Sequence, residues 1–167
     1  NSTCFNITAN NVILDGQGYK ITGDTGSGDY GVAATGRANI TIKNLNINSF
    51  WRGVYFNFTT NSTIENNTFY NNSNRGIYFD SSSDNNLISS NTINLSDIEG
   101  IQLFGSNGNR IVNNTIRNNN KAILIASNSD NNYLENNIIN LTTLGGLYVQ
   151  GKSINNTFKN ERIANTG

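Results

Sequence analysis

One six-residue segment returns, slightly altered, about every 23 residues along this chain of 167. Its copies are Ile64-Glu65-Asn66-Asn67-Thr68-Phe69, Ile88-Ser89-Ser90-Asn91-Thr92-Ile93, Ile111-Val112-Asn113-Asn114-Thr115-Ile116 and Leu134-Glu135-Asn136-Asn137-Ile138-Ile139. Weaker copies begin at Ile42 and Phe158. A fixed period of this size means stacked, near-identical units, each too small to bury a hydrophobic face alone.

A second motif runs in phase with the first. It reads Gly53-Val54-Tyr55-Phe56, Gly76-Ile77-Tyr78-Phe79, Gly100-Ile101-Gln102-Leu103, Ala122-Ile123-Leu124-Ile125 and Gly146-Leu147-Tyr148-Val149, with Gly31-Val32-Ala33-Ala34 as a first copy. Apolar residues two apart mark short strands with one buried face. Each unit then reads as strand, two-residue bend, strand, loop, strand, loop. No segment has the length of a helix. Like motifs lie over like motifs only if the units stack in parallel, each coil pairing its backbone with the coils above and below, roughly 4.8 Å away. The expected fold is all-β, a single-stranded parallel solenoid of six to seven coils. Residues 1–38 would hold an N-terminal strand and an atypical first coil, and 39–167 the regular coils of the same domain, the last incomplete.

Roughly a fifth of the residues are Asn, and Pro, Met and His are absent. A polar tract of that kind can be disordered, but disorder would not hold Ile and Phe in phase. Asn67, Asn91, Asn114 and Asn137 fall in one column, flanked by Leu45 and Glu161. Asn tolerates left-handed backbone at bends, and stacked amides can bond from coil to coil as a ladder. The formal net charge is zero and 13% of residues are charged, which argues against a nucleic-acid surface and a polybasic membrane anchor. No apolar run reaches transmembrane length. The chain opens on Asn1 rather than Met, which reads as a processed product.

Together these features resemble the right-handed parallel β-helix family, the pectate-lyase-like repeats found in carbohydrate-binding and sugar-hydrolase modules. The resemblance runs from about Asn11 to Ile163. The opening Ile13-Leu14-Asp15-Gly16-Gln17-Gly18-Tyr19-Lys20-Ile21 is similar to the first coil of such domains, including those of the copper-site maturation protein of nitrous oxide reductase. The family implies a right-handed coil. It does not imply one activity, because the fold hosts lyases, hydrolases, epimerases, adhesins and tailspikes. Copper is not carried over, since Cys4 is the one soft ligand in the sequence.

Candidate site residues follow from the columns. Tyr55, Tyr78 and Tyr148, with Gln102 and Leu124 between them, are expected to form an outward aromatic face that can stack on sugar rings or on another protein. Arg52, Arg75, Glu99 and Lys121 are expected to form a solvated charge ladder. Asp80 and Glu99, beside Arg75, are the pair of carboxylates that could approach across a coil for acid–base chemistry. The turns Asp84-Asn85-Asn86 and Asp130-Asn131-Asn132 are rich in oxygen and could hold calcium, although simple Asx turns account for them and no cofactor is expected. Asn-X-Ser/Thr sequons abound, from Asn1 onward. Those at Asn57, Asn71, Asn94 and Asn140 are candidates for N-glycosylation in a secreted protein.

A solenoid exposes unpaired backbone at both tips. Cys4, Phe5 and Ile7 at one end and Ile163 at the other are therefore expected to be assembly residues, with Cys4 available for an intermolecular bridge. From these features the expected function is a non-catalytic structural subunit of an extracellular filament or cell-surface layer, joined end to end with other copies. The alternative is a carbohydrate-binding or polysaccharide-degrading module using the Tyr face with Asp80, Glu99 and Arg75.

Overall fold

The computed structural model describes residues 2–166; Asn1, with its sequon, and Gly167 lie outside the described residues. The described residues form a solenoid of about seven turns, with strands in three parallel seven-stranded sheets and no helix. The first sheet stacks Phe5–Ile7, Tyr30–Thr35, Arg52–Asn57, Arg75–Asp80, Glu99–Phe104, Lys121–Ala126 and Gly145–Val149. The second stacks Ile13–Asp15, Thr41–Lys43, Thr63–Glu65, Leu87–Ser89, Arg110–Val112, Tyr133–Glu135 and Thr157–Lys159. Lys20–Thr22, Asn46–Asn48, Thr68–Tyr70, Thr92–Asn94, Thr115–Arg117, Ile138–Thr142 and Arg162–Thr166 make the third. Every strand pair is parallel and in register, so Ile42, Ile64, Ile88, Ile111 and Leu134 lie directly over one another.

The inward columns form one continuous core. Ile64, Ile88, Ile111 and Leu134 of the second sheet are fully buried, as are Phe69, Ile93, Ile116 and Ile139 of the third. In the first sheet Phe56 and Phe79 stack at 5.2 Å with their planes 8° apart. Each such side chain contributes about 1.5–3 kcal/mol by leaving water, and the in-phase repeat places one at the same depth in each strand of the inner coils. The glycine that opens the first-sheet strands marks a close approach: a Cβ at Gly53 would lie 2.5 Å from both the Gly76 carbonyl oxygen and Phe69 Cδ1.

The two-residue bend between the second and third sheets divides its work between its two positions. Left-handed backbone falls on the first residue, at Asn44, Asn66, Ser90, Asn113 and Asn136. The hydrogen-bonding falls on the second. This corrects the expectation that one Asn column does both. Asn67 Nδ2 donates to Asn91 Oδ1, and Asn91 Nδ2 to Asn114 Oδ1, each at 3.1 Å; Asn114 Nδ2 donates to Asn137 Oδ1 at 3.0 Å. At the end of the column Asn137 Nδ2 donates to Glu161 Oε1 at 3.0 Å. The same oxygens accept the backbone N–H of the preceding coil, so Asn91 Oδ1 serves the Asn67 amide at 2.9 Å. Each buried amide thus satisfies backbone groups that the bend takes out of the sheets. A second column, Asn86, Asn109, Asn132 and Asn156, does the same between the first and second sheets.

Candidate functional site

Among the described residues outside the inward columns, the densest gathering of large side chains is on the first sheet. Its strands are mostly six residues long against three in most of the second and third sheets, so each carries several outward positions. One outward column reads Tyr30, Arg52, Arg75, Glu99 and Lys121; the next reads Ala33, Tyr55, Tyr78, Gln102, Leu124 and Tyr148; the third reads Thr35, Asn57, Asp80, Phe104 and Ala126.

In the coils nearer the N-terminus this face is an aromatic and cationic cluster. Tyr30 and Tyr55 have ring centroids 4.8 Å apart, Tyr55 and Tyr78 are 5.7 Å apart and stacked, and Trp51 lies 6.0 Å from Tyr30. The Arg52 guanidinium sits among all four rings, 4.0 Å from Trp51, 4.4 Å from Tyr78, 5.0 Å from Tyr55 and 5.7 Å from Tyr30. It makes no ion pair with a described residue, and its Nε is buried without a protein acceptor. Burial lowers its affinity for a proton, with the nearby rings working in the opposite sense. Such a guanidinium is held by ring quadrupoles and lacks a counter-anion.

The other two cations of the column are already engaged. Arg75 Nε lies 2.9 Å from Glu99 Oε2, and Lys121 Nζ lies 3.3 Å from Glu99 Oε1. The Arg75 contact is close but off the hydrogen-bonding direction, leaving both atoms without a directed bond; the attraction is therefore chiefly coulombic. Arg75 also donates from Nη1 to Asn74 Oδ1 and lies 4.7 Å from the Tyr78 ring. Glu99 is 2% exposed. The expected solvated ladder is corrected accordingly: this is a buried carboxylate clamped between two cations, where removal of either partner is costly.

Two further expectations are corrected here. The Tyr column is not an open aromatic surface, because Tyr78 is buried under Arg52, Arg75 and Tyr55. Tyr55 and Tyr148 are half-buried. Gln102 and Leu124 separate Tyr148 from the other tyrosines, and its hydroxyl donates to its own loop at the Leu144 carbonyl, 2.5 Å away. Nor do Asp80 and Glu99 meet. Glu99 is in register with Arg75, at the start of its strand, whereas Asp80 is in register with Phe104 at the far end. Five residues of strand place them on the order of 15 Å apart, too far to flank one glycosidic bond. Asp80 instead accepts from the Tyr55 hydroxyl at 3.2 Å. Burial first, and the Asp80 charge second, push the Tyr55 phenol up to about 12; the same causes raise Tyr78.

The remaining candidates are scattered. Asp84 Oδ1 accepts from the Asn107 amide at 2.6 Å and Asp130 Oδ1 from the Ile154 amide at 2.8 Å, so both turns tie coil to coil. Asn71 is exposed and left-handed, Asn57 is half-buried on the first sheet, and the Asn94 and Asn140 amide oxygens accept from Asn118 and Asn165. Cys4 is exposed and Phe5 is 38% exposed, whereas the Ile7 side chain packs into the core; all three lie at the edge strand of the first sheet or just before it. Ile163 lies on the last coil and is 44% exposed. Sequence reasoning missed Tyr30 and Trp51. The signal was present: Tyr30 precedes Gly31 as Arg52 precedes Gly53, and Trp51 is the single Trp of the chain.

A parallel solenoid with an aromatic and basic cluster on one sheet is a repeat protein whose special chemistry lies outside its repeat. The right-handed β-helix region family matches residues 1–139, and the chain belongs to that family. No curated protein matches it. Among solved structures, it is similar to the periplasmic alginate epimerase AlgG, with 15% identity and a TM-score of 0.73 over 93% of this chain and 46% of that one. It is also similar to the enzymatically active domain of bacteriophage CBA120 tailspike protein 2, with 13% identity and a TM-score of 0.63 over 94% of this chain and 32% of that one. The chain spans less than half the length of either structure, and at these identities the likeness concerns the fold. It nonetheless overturns the expectation of a non-catalytic filament subunit: an alginate epimerase and an enzymatic tailspike domain carry this architecture, and the reading moves to the carbohydrate-directed alternative.

Proposed function

We propose that the chain binds an acidic polysaccharide across the outer face of its first sheet, and that it works outside the cytoplasm. The observation that carries this reading is Arg52, a half-buried guanidinium ringed by Tyr30, Trp51, Tyr55 and Tyr78 and lacking a carboxylate partner. A uronate unit offers both things the cluster lacks: a planar carboxylate for the guanidinium fork and a sugar face for the rings. Arg52, Arg75 and Lys121 outnumber Glu99 and Asp80 in the cluster, so the local charge favours an anion. The likeness to a periplasmic epimerase of alginate supports the same substrate class and an exterior location.

The geometry favours binding ahead of bond cleavage. A general base works best with a proton affinity near the operating pH, and the Tyr55 phenol is held at about 12. Both Glu99 oxygens face cations. Isothermal titration with a polyuronate and with a neutral glucan tests the reading. The polyuronate should bind with a strong salt dependence and the glucan should not. Arg52→Gln should weaken polyuronate binding about 10- to 100-fold, the value of a charge-assisted contact. Equal affinity for the two polymers, or an Arg52→Gln variant that binds as well as the parent, would overturn it.

A further inference from the structure

Building on the uronate reading of Arg52, we infer that the far end of the same face holds a subsite for a neutral sugar, so that the ligand is an acidic heteropolysaccharide with uncharged, hydroxyl-rich units beside its uronates. Phe58, Asp80 and Phe104 build this subsite on three consecutive coils. Asp80 and Phe104 are in register across neighbouring strands. The Phe58 amide donates to the Asp80 carbonyl at 3.4 Å and to the Ser81 carbonyl at 3.1 Å. The group closes the strands that Arg52, Arg75 and Glu99 open, on the order of 15 Å away along the face.

Phe58 is unusual in backbone and in exposure at once. Its φ of 49° is left-handed, as is that of every other residue in its column: Gly36, Ser81, Gly105, Ser127 and Gly151. The other coils thus place a small residue where left-handed backbone is required. Phe58 is the sole aromatic residue in that conformation among the described residues, and a bulky side chain there is strained. It is 55% exposed, so full burial of its ring does not offset the strain. A strained residue whose ring faces solvent points to a role outside the fold. Phe104, two coils further on, is 39% exposed, in a column where the other coils carry Thr35, Asn57, Asp80 and Ala126.

Asp80 decides the kind of sugar. It is half-buried, its Oδ2 accepts from the Tyr55 hydroxyl at 3.2 Å, and its Oδ1 accepts from the Ser81 hydroxyl at 3.0 Å. A carboxylate offers about four acceptor sites, so about two remain for the paired hydroxyls of a sugar ring. No described Lys or Arg pairs with it. Its negative charge therefore opposes a uronate carboxylate at this end, as Arg52 favours one at the other. Phe58 and Phe104 lie two coil spacings, roughly 10 Å, apart on either side of Asp80. Their rings carry no polar group and suit the C–H face of a pyranose. Tyr55 joins the two ends, since its ring lies 5.0 Å from the Arg52 guanidinium and its hydroxyl reaches Asp80.

Isothermal titration should compare an oligoglucuronate with an oligosaccharide that alternates glucuronate and glucose and carries the same number of carboxylates. The alternating chain should bind about 3- to 10-fold more tightly, the value of one or two stacked rings. Phe58→Gly should erase that preference and leave oligoglucuronate affinity as in the parent. It should not lower the melting temperature, because glycine takes left-handed backbone freely. Phe104→Ala should reduce the preference in the same direction, and Arg52→Gln should weaken both ligands alike. Equal binding of the two ligands by the parent, a preference that survives both Phe variants, or a Phe58→Gly variant that melts lower and loses both ligands equally would overturn the subsite while leaving the Arg52 reading intact. A preference lost in Phe58→Gly but full binding in Arg52→Gln would overturn the Arg52 reading and keep the subsite. Absence of binding to either ligand would overturn both.

Discussion

The buried Asn67–Asn137 column and the outer face of the first sheet are built on the same stack of coils, yet they obey opposite rules. In the column every coil repeats the same residue type and the same bonds, at 3.1, 3.1 and 3.0 Å. On the face the residue type changes along the stack: Tyr30 gives way to Arg52 and Arg75, then to Glu99 and Lys121. Repetition is what parallel stacking requires of the interior, where an unmatched amide would be costly. Outward positions are released from that requirement. Their departures from the repeat are therefore where function can reside, and the densest departure is the cluster around Arg52.

The strongest way to break this comparison is from the inside. Asn114→Ala removes the acceptor for the Asn91 amide and the donor to the Ile88 and Val112 carbonyls. Leaving two or three buried backbone groups unpaired, at about 1–3 kcal/mol each, should lower unfolding free energy by roughly 3–6 kcal/mol. The same variant, measured where it is still folded, should bind polyuronate like the parent. Chemical denaturation with a parallel binding titration checks both halves. A smaller loss is expected from Glu99→Gln, which strands Arg75 and Lys121. Breaking a buried pair costs about 3–5 kcal/mol, and the low end applies because the Arg75 and Lys121 side chains are 17% and 27% exposed.

Tyr55 sharpens the comparison through pH. Its phenol ionises near 12 in the folded chain against an ordinary 10.0, so the folded state holds the proton more tightly than the unfolded chain does. The resulting stabilisation is fully present below pH 10.0 and is lost as pH rises through about 12. Tyrosinate absorbance should show a late-titrating group that Tyr55→Phe removes. The smallest effect belongs to the exposed Lys43–Asp15 pair at 3.6 Å. Lys43→Ala should change stability by no more than about 1 kcal/mol, within the scatter of a thermal melt.

This asymmetry also explains what could be read from the sequence. The inward columns were legible because Ile64, Ile88, Ile111 and Leu134 recur in phase, and parallel stacking follows from phase alone. The Asn67 column was legible for the same reason, although its left-handed partner sits one residue earlier, at Asn66 and its equivalents, which a column of identical letters does not reveal. The face was only partly legible. Burial of Tyr78 depends on the long Arg52 and Arg75 side chains folding across it, and periodicity carries no information about that.

Because Trp51 is the single Trp and touches Arg52, its fluorescence reports on the cluster directly. Titrating the protein with a polyuronate should produce a saturable change in Trp51 emission that is weakened in Arg52→Gln and preserved in Lys43→Ala. An emission spectrum that stays constant while the polymer binds would place the polysaccharide elsewhere on the solenoid and contradict the account.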